Sequence, residues 1–220
     1  MENHATMQQN AANNKGTQKG KAGTKGRSNI RKVTMIGMLS AVSIVLMYFD
    51  FSIPFLMPGF VKMDISDLPA LIGSFSMGPI AGIVICLVKN LLHLMRTSTG
   101  GVGELSNFIL SGTFVLIAGI IYKKWNTRKG ALTGSLIGAV AMAVISVFSN
   151  YFLVYPVYTA FMPMEAIMAA YQAILPSVDN LWEALIIFNM PFTFVKALLS
   201  VGITFLIYKR ISPIIKGSNC

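Results

Sequence analysis

Charge is scarce in this chain. Only 12% of its 220 residues are Asp, Glu, Lys or Arg, while 54% are apolar and the mean hydropathy is +0.64. A soluble domain carries about 25% charge, so an ordinary water-soluble globule is excluded. A disordered chain is excluded too, because it needs low hydrophobicity and high charge. Cysteine is nearly absent. Cys86 sits inside an apolar run and Cys220 ends the chain, which gives neither a disulfide framework nor metal-ligand spacing. There is no phosphate loop of the Gly-Lys-Ser/Thr kind, no His-Glu-x-x-His pair, no nucleophile elbow and no Cys/His cluster. The sequence is therefore read as that of a non-enzyme, with no metal and no cofactor of its own.

What the chain has in quantity is apolar runs and basic charge. Lys and Arg number 18 against 8 acids, for a net charge of +10. The basic residues are grouped. Lys15, Lys19, Lys21, Lys25, Arg27, Arg31 and Lys32 precede the first apolar run, Lys123, Lys124, Arg128 and Lys129 form one short cluster, and Lys209, Arg210 and Lys216 close the chain. Apolar runs separate these clusters, and they form no aromatic-interleaved basic stripe. That pattern points to a membrane protein with cytoplasmic lysines and not to a nucleic-acid binder. Residues 1–29, rich in Asn, Gln, Lys, Gly and Thr, read as a disordered basic cytoplasmic tail and not as a signal peptide. Residues 30–212 then make the membrane domain and 213–220 a short cytoplasmic tail.

Uncharged stretches cover 33–49, 68–88, 105–122 and 130–164, and a fifth apolar region, 184–208, is interrupted by Lys196 alone. Five spans with the basic head inside would place both the 123–129 cluster and the basic C-terminus outside, against the positive-inside rule. Gly78-Pro79 resolves the conflict, because a helix tends to end before a proline. With a short helix over 66–76 and the next over 80–95, the count becomes six and all three basic clusters are cytoplasmic. The expected fold class is an all-α membrane protein of six transmembrane helices with both termini cytoplasmic. A helix of about 11 residues reaches only about 16 Å, short of the ~30 Å of a hydrocarbon core, so the first of the two halves must be packed against protein or flanked by water.

A few residues are out of place in a membrane. Lys196 lies deep in the last apolar region, where a lysine costs on the order of 2.5–3.5 kcal/mol on insertion scales. Asn189, Thr193 and Lys196 are four and three residues apart and share one helix face. They read either as a ligand-contact face inside a polar cavity or as a structural ion-pair cluster. Asn150, on the preceding span, is a ligand contact or an interhelical hydrogen-bonding residue. Glu104 and Asn107 place polar groups at the start of the helix that follows a glycine-rich turn. Gly37 with Ala41, and Gly134 with Gly138, are small-xxx-small pairs, for internal packing or for docking against another membrane protein.

Several stretches together resemble one family: Lys62-Met63-Asp64-Ile65-Ser66-Asp67-Leu68-Pro69 through Gly73, Gly78-Pro79, Lys89-Asn90-Leu91-Leu92-His93-Leu94, Gly103-Glu104-Leu105-Ser106-Asn107-Phe108, Asn150-Tyr151-Phe152 with Pro156-x-Tyr158, and Pro191-Phe192-x-x-Val195-Lys196. They resemble the riboflavin-specific substrate-binding (S) subunit of energy-coupling factor (ECF) transporters, over about 33–211. The resemblance implies the six-helix S-subunit fold in a bacterial cell (plasma) membrane. It implies a riboflavin pocket near the outer surface, covered by the first external loop and lined by helices four to six. It also implies partners: a membrane coupling (T) subunit and two cytoplasmic ATPases, which would supply the energy source the chain lacks. Gly37 and Ala41 stand where the family carries Ala-x-x-x-Ala for contact with the coupling subunit. Thr193 stands where the family has Asn, and Asn189 one turn earlier can compensate. The expected substrate-binding residues are Lys196, Asn150, Thr193, Asn189, Glu104 and Asn107 from the helices, with Phe60, Met63 and Asp64 from the loop. An S subunit for another vitamin and a self-sufficient proton-coupled carrier are the alternative readings.

Overall fold

The computed structural model describes residues 29–216 except Pro54, Phe60, Ser98, Thr99 and Phe161, with side chains as far as Ile207. The basic head up to residue 28, the site candidate Phe60 and the last four residues lie outside the described residues. Within residues 1–35 the described part is the start of helix α1 (Asn29–Tyr48), where the Thr34 hydroxyl donates to the Ile30 carbonyl. Residues 36–220 form the second compact unit, to which all that follows belongs.

Helix α2 (Asp67–Met77) is short and α3 (Pro79–His93) follows after one residue, closing in a 3-10 turn, Leu94–Arg96. The break falls at Gly78, whose φ of 104° lies in the left-handed region that glycine tolerates. Pro79 then opens α3, where its missing N–H is one the helix leaves unpaired in any case. Helix α4 spans Val102–Lys124, and Thr127 caps the next helix by accepting from the Gly130 N–H at 3.0 Å. Helix α5 is α-helical over Arg128–Ser149, π-helical over Asn150–Val154 and α-helical again over Tyr155–Tyr158. Helix α7 is built the same way: Leu181–Ala184, a π-helical stretch Leu185–Asn189, then Met190–Lys216.

The two π stretches share a cause. Each ends two residues before a proline, Pro156 or Pro191. A proline inside a helix cannot donate to the carbonyl four residues back and its ring crowds that carbonyl. Widening one turn relieves the crowding, and such π-bulges recur at functional sites.

Five helices are long and apolar enough to cross a membrane: Asn29–Tyr48, Pro79–Arg96, Val102–Lys124, Arg128–Tyr158 and Leu181–Ile207. The 160–182 segment, between the last two apolar regions, contains a helix, α6 (Met164–Gln172). Pro163 precedes it, and Ile167 and Tyr171, four residues apart, are both buried beneath it.

Helices α4 and α5 approach closely. A Cβ at Gly134 would stand 2.9 Å from the Ala118 carbonyl oxygen, and one at Gly138 2.8 Å from that of Phe114. This small-xxx-small pair is internal packing. The apolar interior has two parts. One joins α2, α3, α4, α5 and α7 around Leu71, Ile85, Phe114, Met142 and Ala197. The other lies beneath the 51–63 segment and α6, around Met57, Tyr155, Tyr171, Leu185 and Phe188.

Candidate ligand-binding site

A cavity opens where the two apolar clusters meet. Its empty space, open solvent at the mouth included, is about 760 Å³. Helix α4 contributes Ser106, Asn107 and Leu110, α5 contributes Met142, Asn150, Val154 and Tyr155, and α7 contributes Asn189, Phe192, Thr193 and Lys196. Val61 and Lys62 line it from the segment before α2. Apolar side chains therefore face a limited set of amides, hydroxyls and one ammonium.

Both π stretches deliver an asparagine here. Asn150 is the first residue of one and Asn189 the last of the other. From Asn189, two further turns of α7 bring Thr193 and Lys196 onto the same wall. Lys196 donates to Asp64 Oδ2 at 2.8 Å, an ion pair between residues 132 apart in sequence. Asp64 Oδ1 accepts from the Ser66 N–H at 2.9 Å and the Ser66 hydroxyl at 2.5 Å. Burial alone would raise the Asp64 carboxyl, but the ammoniums of Lys196 and Lys89, with hydrogen bonds from Lys196 and Ser66, outweigh it and hold the group well below the usual carboxylate range. The pair is therefore ionised. Among the described residues Asp64 is the one hydrogen-bond acceptor for Lys196. An ammonium has three donors, so two N–H groups remain for whatever fills the cavity.

The other polar groups are arranged similarly. Asn150 Oδ1 is 3.5 Å from the Ser106 hydroxyl, Asn107 Oδ1 accepts from Ser111 at 2.9 Å, and Asn189 Oδ1 accepts from Tyr171 at 2.8 Å. In each case the carbonyl oxygen is engaged by the protein; the NH2 groups of Asn107 and Asn150 have no partner among the described residues, and Asn189 also interacts with the Tyr155 hydroxyl. The cavity is rich in donors, which suits a ligand edge carrying carbonyl oxygens or ring nitrogens.

The remaining candidates fall elsewhere. Glu104 lines a neighbouring cleft with Asp64, His93 and Arg96, and it pairs with His93 Nδ1 and the Thr97 hydroxyl, each at 2.9 Å. That cleft shares Lys62, Gly103, Asn107 and Tyr158 with the cavity. Met63 does not line the cavity. Its backbone bridges Phe51 and its side chain is buried in the second apolar cluster. Val61 and Lys62, just before it, line the cavity instead. Gly37 and Ala41 are exposed on α1, and a Cβ at Gly37 would meet nothing within 4 Å.

The sequence reading did not find the Lys89–Asp67 pair. Lys89 Nζ lies 2.5 Å from Asp67 Oδ1 and 2.7 Å from the Ser66 hydroxyl, with both charged side chains fully buried. Nor did it find Tyr155 and Tyr171 behind Asn189. Lys89 stands 22 residues from its acid, beyond the reach of helical periodicity.

Residues 31–208 match the family described as ECF transporter, substrate-specific component. The chain is 33% identical over 190 residues to the riboflavin transporter RibU of Staphylococcus aureus, covering 86% of this chain and 94% of that one. It is 33% identical over 187 residues to the riboflavin transporter FmnP of Bacillus subtilis, covering 84% and 93%. A solved structure, the S component of a bacterial ECF transporter, superposes with a TM-score of 0.67 at 31% identity, over 86% of this chain and 99% of that one.

Proposed function

The chain belongs to the family of ECF transporter substrate-specific components, and from that premise we propose that it captures riboflavin for uptake driven by an ECF module. The observation that carries the ligand is the near-full-length identity to riboflavin transporters from two bacteria. The cavity chemistry supports it. The flavin ring presents carbonyl oxygens and ring nitrogens along one edge, and Lys196, Asn150 and Asn189 offer N–H groups in the cavity lining. Its apolar faces suit Leu110, Met142 and Phe192. The hydroxylated side chain suits Thr193, Ser106 and Asn107.

The chain contains no nucleotide-binding loop, so ATP-driven transport draws on a partner. The proposed partners are a membrane coupling subunit and two cytoplasmic ATPases. The exposed stripe of Gly37 and Ala41 on α1, flanked by the exposed Met38, Val42 and Val45, is the proposed docking face. The proposed topology has six crossings with both termini cytoplasmic, α2 and α3 being separate crossings on either side of Gly78. The interfacial aromatics agree with it. Trp182 stacks edge-on with Tyr151 and Phe148 at one end of α5 and α7, and Trp125 lies at the other beside Lys123, Lys124, Arg128 and Lys129.

Purified full-length protein tests the ligand. It should quench riboflavin fluorescence saturably at one flavin per chain, and a sample that neither retains nor quenches flavin rejects the proposal. In proteoliposomes, riboflavin uptake should require a co-reconstituted ECF module and ATP. Uptake by the chain alone would instead make it a self-sufficient carrier.

A further inference from the structure

At the cavity wall two buried tyrosines, Tyr155 in the lining and Tyr171 behind it, form a chain that ends on Asn189. Tyr171 is fully buried and donates to Asn189 Oδ1 at 2.8 Å. A phenol has one proton. With that proton given to Asn189, the 2.5 Å contact between the Tyr155 and Tyr171 hydroxyls must have Tyr155 as donor. The order is therefore Tyr155 to Tyr171 to the Asn189 carbonyl. Burial, and next the neighbouring Tyr155, push the Tyr171 phenol far above its ordinary range, so the proton stays in place at any physiological pH.

An asparagine amide can present either its oxygen or its NH2 to a ligand, depending on which the protein engages. Here the oxygen is taken by Tyr171, and the amide, which also interacts with the Tyr155 hydroxyl, belongs to a residue that lines the cavity. The opposite orientation would turn the NH2 toward Tyr171 and force the tyrosine pair to reverse its donor order. We propose that Tyr155 and Tyr171 are positioning residues that fix Asn189 as a hydrogen-bond donor to the ligand, so that the site selects an acceptor, a carbonyl oxygen or ring nitrogen, at that point. Because Tyr171 lies on α6, this short helix is part of the specificity apparatus and not only a connector. The proposal rests on the riboflavin reading above and names one of its contacts.

Riboflavin titration of the purified full-length chain, followed by fluorescence quenching, tests it with Tyr171→Phe, Asn189→Ala and the double variant. Asn189→Ala should weaken binding about 3- to 10-fold, the scale of one neutral hydrogen bond. Tyr171→Phe frees the amide to turn and should weaken binding by somewhat less. On the Asn189→Ala background it should cause no further loss, since nothing remains to orient. An equal loss on both backgrounds would show that Tyr171 acts through packing, and the proposal would be overturned. If Tyr171→Phe cannot be purified, Asn189→Asp decides. Its carboxylate still accepts from Tyr171 but has no N–H, so affinity should fall by about 10-fold or more, and wild-type affinity in that variant overturns the proposal. Failure of the riboflavin reading looks different: the unaltered chain itself would not quench riboflavin.

Discussion

The two buried lysine–aspartate pairs are close in composition and opposite in their surroundings. Lys89 and Asp67 are sealed, and the ammonium has three acceptors within reach: Asp67 Oδ1, the Ser66 hydroxyl and, at 3.4 Å, the Ser111 hydroxyl. All three of its donors are occupied by the protein. Lys196 and Asp64 are nearly as deep, with side chains 9% and 5% exposed, yet the ammonium engages a single acceptor and borders the cavity. A charge inside a membrane protein is therefore not in itself a mark of the site. What separates the two lysines is how many donors the fold leaves uncommitted: none for Lys89, two for Lys196.

Removing each lysine sharpens that contrast. Lys89→Met strands Asp67, whose Oδ2 has no partner among the described residues even now. Breaking a buried pair from one side costs about 3–5 kcal/mol, so thermal melting of the purified protein should show a large loss of stability, or the variant should fail to accumulate. Lys196→Met strands a less dependent acid, because Asp64 keeps both Ser66 hydrogen bonds, the charge of Lys89 and an open cavity beside it. Its main effect should fall on the ligand. Riboflavin affinity should drop by roughly 1.5–3 kcal/mol, or about 10- to 150-fold, the scale of a charge-assisted hydrogen bond. A Lys196→Met protein that melts as early as Lys89→Met while binding flavin normally would erase the distinction.

Much of this contrast was only half legible in the sequence. The depth of Lys196 and its shared face with Asn189 and Thr193 follow from helical spacing, and the break at Gly78 follows from the proline after it. The partners do not follow, because the acid of each pair lies in or beside the segment before α2, well outside any local repeat. Glu104 and Asn107 stand three residues apart on α4 and read alike, yet one pairs with His93 in the neighbouring cleft and the other lines the cavity. The π stretches had a signal, in Pro156 and Pro191, that spacing arguments based on a uniform helix pass over. Helix α6 was hidden by its brevity and by the prolines at 163 and 176 that bracket it.

Acid offers a gentler test of the Asp64 side. Asp64→Asn keeps an oxygen for Lys196 but loses the charge, a stability cost of roughly 1–2 kcal/mol. The folded-state carboxyl of Asp64 is held below its unfolded value of 3.8. A depressed carboxyl contributes stability that is complete above the unfolded value and is lost as pH falls toward the folded one. The melting-temperature gap between the protein and this variant should therefore stay constant from about pH 5 to pH 8 and narrow only below about pH 4. A gap that closes near neutrality would mean that Asp64 takes up a proton there and that the open pair is not a permanent ion pair.

The smallest expected effect tests whether the two pairs are separate at all. Ser66 sits between them. Its hydroxyl accepts from Lys89 at 2.7 Å and donates to Asp64 at 2.5 Å, while its carbonyl accepts from the Ser43 hydroxyl. Through this one side chain the sealed pair braces the acid that holds Lys196 at the cavity. Ser66→Ala removes the hydroxyl and leaves the backbone N–H on Asp64. Lys89 keeps Asp67, so stability should fall by only about 0.5–1.5 kcal/mol, the value of one net hydrogen bond. Affinity should fall as well, by about 2- to 5-fold, because Asp64 can then swing and carry the Lys196 ammonium with it. A Ser66→Ala protein that loses stability but binds riboflavin unchanged would show that the sealed pair supports the fold alone and that Asp64 aims Lys196 without it.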